Sequence, residues 1–203
     1  MPLFYQHNVN DTTKLAVWHI TEPENFFLEK VHLKKIVNHP HKRLQHLAGR
    51  YLLQLLRPEF PLHLIEIADS KKPLLSNEAF HFSISHCGDF AAAIVSENKL
   101  VGIDVELVQP KIESIKHKFL STDEQKLLPA ATSQLLTLLW SCKEAVYKWY
   151  GKGGIDFKND IVVKNISAGN NEGVIECRFM KGDKTDLSIH FNLFDNLYLA
   201  WVL

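Results

Sequence analysis

Two short segments put three carboxylates and two lysines where they could share one site. In Gly102-Ile103-Asp104-Val105-Glu106, the apolar Val101, Ile103 and Val105 alternate with Gly102, Asp104 and Glu106. Period-two alternation predicts a half-buried strand, so Asp104 and Glu106 point to one face, roughly 7 Å apart. In Trp140-Ser141-Cys142-Lys143-Glu144-Ala145-Val146-Tyr147-Lys148, Glu144 and Lys148 are spaced i, i+4, one above the other on a helix. If that helix crosses the end of the strand, Asp104, Glu106 and Glu144 can converge on one hard cation. Mg²⁺ suits such a few-carboxylate site, its remaining positions going to water and substrate phosphate oxygens. Lys148 would then stand beside the metal, where a phosphate charge needs a second partner. Plainer readings exist. Asp104 and Glu106 could be the solvent face of an edge strand, because most surface charge is solvation. Glu144 and Lys148 could be a helix ion pair worth about 0.3–0.5 kcal/mol.

The elements that must position these residues fall into two halves of similar size. Residues 15–20 predict a strand. Thr21-Glu22-Pro23-Glu24 predicts a helix start with Thr21 as cap, followed by Phe27, Leu28, Val31, Ile36 and Val37 at loosely helical spacing. A clearer helix runs from His41 to Leu56, with Leu44, Leu47, Ala48, Leu52 and Leu55 on one face; Pro58 and Pro61 end it. Strands are expected at 64–68, 80–86 and 90–96. After the Gly102–Glu106 strand come short helices near 112–128. The long helix 132–150 follows, stopped by Gly151, Gly153 and Gly154. Gly151-Lys152-Gly153-Gly154 lacks the spacing of a phosphate loop and follows a helix instead of opening one. Strands near 157–165, 173–180, 186–194 and 197–203 complete the chain. The hairpins around 81–95 and 190–202 resemble one another faintly.

Composition narrows the class. The 203 residues are 46% hydrophobic, enough for one large domain or two small ones sharing a core. The 23 Lys+Arg balance 23 Asp+Glu, which argues against nucleic-acid binding through a basic domain. Cys87, Cys142 and Cys177 are odd in number and lack metal-ligand spacing, as free thiols in a reducing compartment would be. The N-terminus has no basic n-region followed by a long apolar run, and no apolar run approaches the 18 or so residues that cross a bilayer. A cytoplasmic protein with no membrane partner is expected.

The pair G-I-D-V-E and W-S-x-K-E-A-x-x-K resembles the signature of the 4′-phosphopantetheinyl transferases, of the larger single-chain, surfactin-synthetase-activating type. Lys72-Pro73-Leu74 is similar to that family's K-P-x turn. Phe82-Ser83-Ile84-Ser85-His86-Cys87-Gly88 is similar to its F-x-I-S-H-x-G segment, and Phe119-Leu120-Ser121-Thr122-Asp123-Glu124 to its F-(F/L)-S-x-x-E segment. Any one of these is weak; their joint occurrence in order, from about residue 40 to about residue 160, is what overturns the plainer readings.

The resemblance implies an α+β fold that is a pseudo-dimer: two similar α+β halves, each a small, largely antiparallel sheet packed with helices. Residues 1–97 would carry the coenzyme A contacts, and residues 98–203 the metal and catalytic residues, with the cofactor bound between them. It implies Mg²⁺-dependent transfer of the 4′-phosphopantetheine group of coenzyme A to a serine of an apo acyl or peptidyl carrier protein, releasing adenosine 3′,5′-bisphosphate. Asp104, Glu106 and Glu144 would hold Mg²⁺. Glu144 would serve as general base, and Lys148 would stabilise the leaving phosphate, with Lys143 also in reach of it. Ser85 and His86 would meet the 3′-phosphate end, and Lys72 and Pro73 the adenine. The family's phosphate-binding arginine has no direct match, because Gln45 stands at its place; Arg43 is the first candidate and Arg50 the second. Lys34, Lys35, His39, Lys42 and Arg43 form a basic cluster that could meet the same phosphate or an acidic carrier. A monomer is expected. The alternatives are a non-catalytic coenzyme A or nucleotide-binding module and a Mg²⁺-dependent nucleotide pyrophosphohydrolase.

Overall fold

Near-continuous apolar runs in Thr13–His19 and Phe90–Ser96, buried along most of their length, build the centre of the first sheet. The computed structural model describes residues 2–33, 37–70, 72–128 and 131–203. Lys34, Lys35 and Ile36, part of the expected basic cluster and helix, lie outside the described residues. The chain divides into two compact units, Met1–Val101 and Gly102–Leu203. Its architecture is α+β, with helices packed on antiparallel sheets.

In the first unit, β1 (Leu3–Asn8), β2 (Thr13–His19), β5 (His81–Cys87) and β6 (Phe90–Ser96) form an antiparallel sheet in the order β1-β2-β6-β5. A two-stranded ribbon pairs β3 (Ile65–Ile67) with β4 (Pro73–Leu75). Helix α2 (Pro40–Leu56) opens with Pro40 in its first turn, and the His39 ring accepts the Lys42 amide at 3.4 Å. Its Leu47, Ala48, Leu52, Leu53 and Leu56 pack with Trp18, Phe82, Ala91, Ala93 and Val95. Leu55, expected on that stripe, is 36% exposed. The stripe is centred on Ala48, Leu52 and Leu56, and the 3.6-residue turn carries Leu55 to its edge. The short helix α1 (Glu24–Leu28) begins after Pro23 and not at Thr21, because Glu22 turns back to accept Trp18 Nε1 at 3.0 Å.

In the second unit, β7 (Gly102–Leu107), β8 (Ile161–Ala168), β9 (Glu172–Phe179), β10 (Thr185–Phe194) and β11 (Leu197–Val202) form an antiparallel sheet ordered β7-β11-β10-β9-β8. Helices α3 (Ile112–Phe119), α4 (Thr122–Leu127) and α5 (Ser133–Tyr150) accompany it. Helix α5 is buried through Leu136, Leu139, Cys142, Ala145 and Val146 against Ile175, Tyr198, Ala200 and Val202. Thr132 caps its start, accepting the Leu135 amide, and Gly151 ends it at φ 70°. A left-handed residue there is the ordinary glycine stop. Strand β8 starts later than expected because Asp156 ties up the intervening turn, accepting the Lys158 amide and Asn159 Nδ2.

Candidate functional site

In the second unit, Gly102 lies directly against α5. A Cβ on Gly102 would collide with the Ala145 carbonyl and stand 2.7 Å from the Trp149 amide nitrogen. Only a residue without a side chain lets β7 and α5 come so near. That contact fixes what lies two residues along the strand and on either side of Ala145 on the helix. Asp104 is 4% exposed, and Lys148 Nζ donates to its Oδ1 at 2.7 Å. Glu144, half-buried on the preceding turn, is held at a raised pKa of about 7. Burial is the main cause; the charge of Asp104 and, last, that of Glu106 add to it, and Lys148 opposes them. Asp104, Glu106 and Lys148 thus each act on the charge of Glu144.

Among the described residues, no three His, Cys, Asp or Glu side chains are already closed into a metal cage. The donor chemistry nonetheless fits a hard divalent cation. All the candidate ligands are carboxylates, which Mg²⁺ prefers, and a carboxylate whose ionisation is resisted by two like charges gains from a cation beside it.

Lys143 does not join this group. It is 1% exposed, about 100° around α5 from Glu144. Its ammonium donates to Glu124 Oε1 at 2.9 Å and Oε2 at 3.0 Å, to the Phe119 carbonyl at 2.9 Å and to the Phe157 carbonyl at 3.0 Å. An ammonium has three protons, so these acceptors leave none for a ligand phosphate. Burial holds Lys143 below the usual lysine range, against the pull of Glu124. Glu124 is itself a hub: it closes a capping box with Ser121, and its Oε1 accepts the Val163 amide at 3.2 Å. The S-x-x-E spacing of Ser121 and Glu124 was the available sequence signal for that cap; its link to Lys143 had none.

In the first unit, the structure separates the two candidate arginines. Arg43 donates from Nε and Nη2 to the two oxygens of Glu24, at 2.7 and 2.9 Å, and from Nη1 to the Val37 carbonyl at 2.9 Å. Its planar fork is occupied. Arg50 donates from Nη1 to the His46 carbonyl at 3.1 Å, and burial alone pulls its pKa down. His46, which sequence reasoning did not single out, lies beside His86, their rings 5.6 Å apart. Gly49 makes that neighbourhood possible, since a Cβ there would stand 2.5 Å from Ile84 Cγ2 on β5. Gln45, at the expected arginine position, instead donates to the Gly88 carbonyl at 2.7 Å and secures the β5–β6 turn. Ser85 is buried and His86 exposed at the end of β5. Pro73 opens β4, and Lys72 just before it is held by burial at a pKa of about 8.

The family model described as the 4′-phosphopantetheinyl transferase superfamily matches residues 100–201. The 4′-phosphopantetheinyl transferase psf-1 of Bacillus pumilus is 39% identical over 95 residues, 44% of this chain and 40% of that protein. Enterobactin synthase component D of Salmonella typhi is 33% identical over 113 residues, 53% of this chain and 47% of that protein. The 4′-phosphopantetheinyl transferase AcpT of Salmonella typhimurium is 32% identical over 117 residues, 54% of this chain and 60% of that protein. The chain spans about half the length of the curated relatives it matches. No helix among the described residues is long and apolar enough to cross a membrane. The family match takes in β7 and α5, the two elements that carry Asp104, Glu106, Glu144 and Lys148, and by it the chain belongs to the 4′-phosphopantetheinyl transferase superfamily.

Proposed function

We propose that this chain transfers the 4′-phosphopantetheine group of coenzyme A to a serine of an apo acyl or peptidyl carrier protein, with Mg²⁺, releasing adenosine 3′,5′-bisphosphate. The observation that carries the reading is Glu144, on which Asp104, Glu106 and Lys148 all act, within the segment the family model matches. A monomer working in the cytoplasm, with no nucleic-acid or membrane partner, belongs to the same reading. So does a division of labour in which the first half, to about residue 97, contacts coenzyme A and the remainder holds the metal and the reacting groups.

Phosphoryl transfer asks a protein mainly for positioning and charge neutralisation. The serine oxygen bonds to the phosphorus that carries the pantetheine arm. The bond from that phosphorus to the bridging oxygen breaks, and the bridging oxygen leaves with its electron pair on adenosine 3′,5′-bisphosphate. Mg²⁺, when held by Asp104, Glu106 and Glu144, would supply charge neutralisation at the pyrophosphate. Glu144 accepts the serine proton, directly or through water; a cation on the same carboxylate would favour its ionised form and offset the rise that burial, Asp104 and Glu106 cause. Lys148 balances the charge that grows on the leaving phosphate. At the nucleotide end, Arg50 with His86 and Ser85 grips the 3′-phosphate, and Lys72 and Pro73 flank the adenine. Arg50 replaces Arg43 in this role because Glu24 already engages the Arg43 fork. Lys143 takes no part in binding because its protons are spent inside.

The test is to follow label in the pantetheine arm of coenzyme A. It should pass to the apo carrier with Mg²⁺ and stop passing when a chelator is added. Label released as free phosphopantetheine without a carrier would make the chain a pyrophosphohydrolase, and label that binds and stays on intact coenzyme A would make it a binding module.

A further inference from the structure

On α2, Lys42, His46 and Arg50 recur every fourth residue and so share one face of the helix. His86 approaches that face from β5, its ring 5.6 Å from the His46 ring. The carboxylates nearby are engaged elsewhere: Glu24 of α1 binds Arg43, and Asp89 of the β5–β6 turn binds His41 at 3.0 Å. Strands β2 and β6 offer α2 apolar groups, Ala16, Trp18, Ala91 and Ala93. Among the described residues, the charged groups acting on His46 are Arg50 and Lys42, both cations.

The contact with Arg50 also fixes the ring's tautomer. Arg50 Nη1 lies 3.4 Å from His46 Nδ1. A guanidinium can only donate, so Nδ1 is the acceptor and the proton of the neutral ring sits on Nε2. A second proton, on Nδ1, would face a positive charge. Burial, Arg50 and Lys42 together push His46 below the ordinary imidazole range. An anion arriving among these groups reverses the balance, because it stabilises every positive charge around it.

We propose that His46 is a proton-linked phosphate contact: when the terminal phosphate of coenzyme A settles against His46, Arg50 and His86, the His46 ring takes a proton from solvent and Arg50 swings from Nδ1 to the phosphate. This rests on the coenzyme A reading above. It gives the nucleotide end a grip that tightens in mildly acidic solution, with a histidine doing what a fixed cation would do at every pH.

Affinity measured by calorimetry, for coenzyme A and for dephospho-coenzyme A, tests it. In the wild-type protein, coenzyme A affinity should fall about tenfold between about pH 6 and pH 8, as one charge-assisted contact to phosphate is lost. Dephospho-coenzyme A should not show the fall. In His46→Gln the phosphate's own last ionisation, near pH 6, and His86 remain, so the fall in coenzyme A affinity with pH should be clearly smaller than in the wild type. Arms in buffers of different ionisation enthalpy should show more proton uptake in the wild type than in His46→Gln. A direct check on the unaltered protein is the His46 ring signal in NMR, whose midpoint should move upward when coenzyme A is added. The same pH profile in both proteins, or a His46 midpoint that does not move, would overturn the proposal and leave the coenzyme A reading standing. Failure of the wild-type protein to bind coenzyme A at either pH would overturn both.

Discussion

The ammonium of Lys148 lies 2.7 Å from Oδ1 of Asp104, across 44 residues of chain. One belongs to the last turn of α5 and the other to the middle of β7. The pair is only partly shielded, the Lys148 side chain being 23% exposed and the Asp104 side chain 6%. It does two jobs in the proposed chemistry. It holds Lys148 beside the carboxylates until a phosphate arrives, and it keeps one Asp104 oxygen neutralised in the absence of a cation.

Asp104→Asn keeps the shape and removes the charge. Transfer to an apo carrier should fall at least about 100-fold, the scale for losing one preorganised electrostatic group. The fold should survive, because Lys148 can turn to water. Near wild-type turnover at low Mg²⁺ would contradict the role given to Asp104.

Gly102→Ala tests the approach of α5 to β7. The added carbon meets backbone, the Ala145 carbonyl and the Trp149 amide, and not a flexible side chain. The helix must shift, and overpacking of this kind costs about 1–3 kcal/mol. Urea unfolding should show that loss, and transfer should suffer in protein that is still folded, since Glu144 and Lys148 move with the helix. Unchanged stability together with unchanged activity would mean that the close approach positions nothing.

Lys143→Met should destabilise the protein by about 3–5 kcal/mol, because it leaves the Glu124 carboxylate buried without its cation. Lys143→Met combined with Glu124→Gln should recover part of that loss in a double-mutant cycle. Coenzyme A affinity, measured on folded protein, should stay within about twofold, since a residue without a ligand contact removes no binding interaction. A selective loss of affinity would return Lys143 to the phosphate site.

Lys72 is the pH probe. Its folded pKa of about 8 lies below the usual lysine value of 10.5 because of burial. Between those two values the folded chain binds fewer protons than the unfolded one, so this group's contribution to stability rises with pH across that window. Below pH 8 the cost of burying the charge is present in full. Lys72 should therefore be the lysine labelled fastest by an amine-reactive reagent near pH 8, and coenzyme A should protect it. Labelling no faster than that of exposed lysines would contradict the burial.

Much of this was legible in the sequence. The period-two run around Asp104 and Glu106 and the i, i+4 pair Glu144–Lys148 defined β7 and α5, and both elements are where that spacing required. What was not legible depended on partners far along the chain. Nothing local distinguishes Arg43 from Arg50; Glu24, on another helix, does. Lys143 carries the same charge as Lys148, but the helix turns it inward onto Glu124. His46 became visible only when Gly49 let β5 bring His86 alongside it. Strand β1 escaped because Phe4, Gln6 and Asn8 are exposed along an edge, so no apolar alternation marks it. Strand β4 is three residues beginning with a proline, too short for periodicity to speak.

The most direct measurement is the intact mass of apo acyl and peptidyl carrier proteins after incubation with this chain, coenzyme A and Mg²⁺, with Glu144→Gln run alongside. The wild-type chain should add the mass of one 4′-phosphopantetheine group to the carrier serine, forming one adenosine 3′,5′-bisphosphate for each, and Glu144→Gln should add little or none. Carriers that stay apo across the panel while the wild-type chain binds coenzyme A would contradict the account, and so would equal modification by the two proteins.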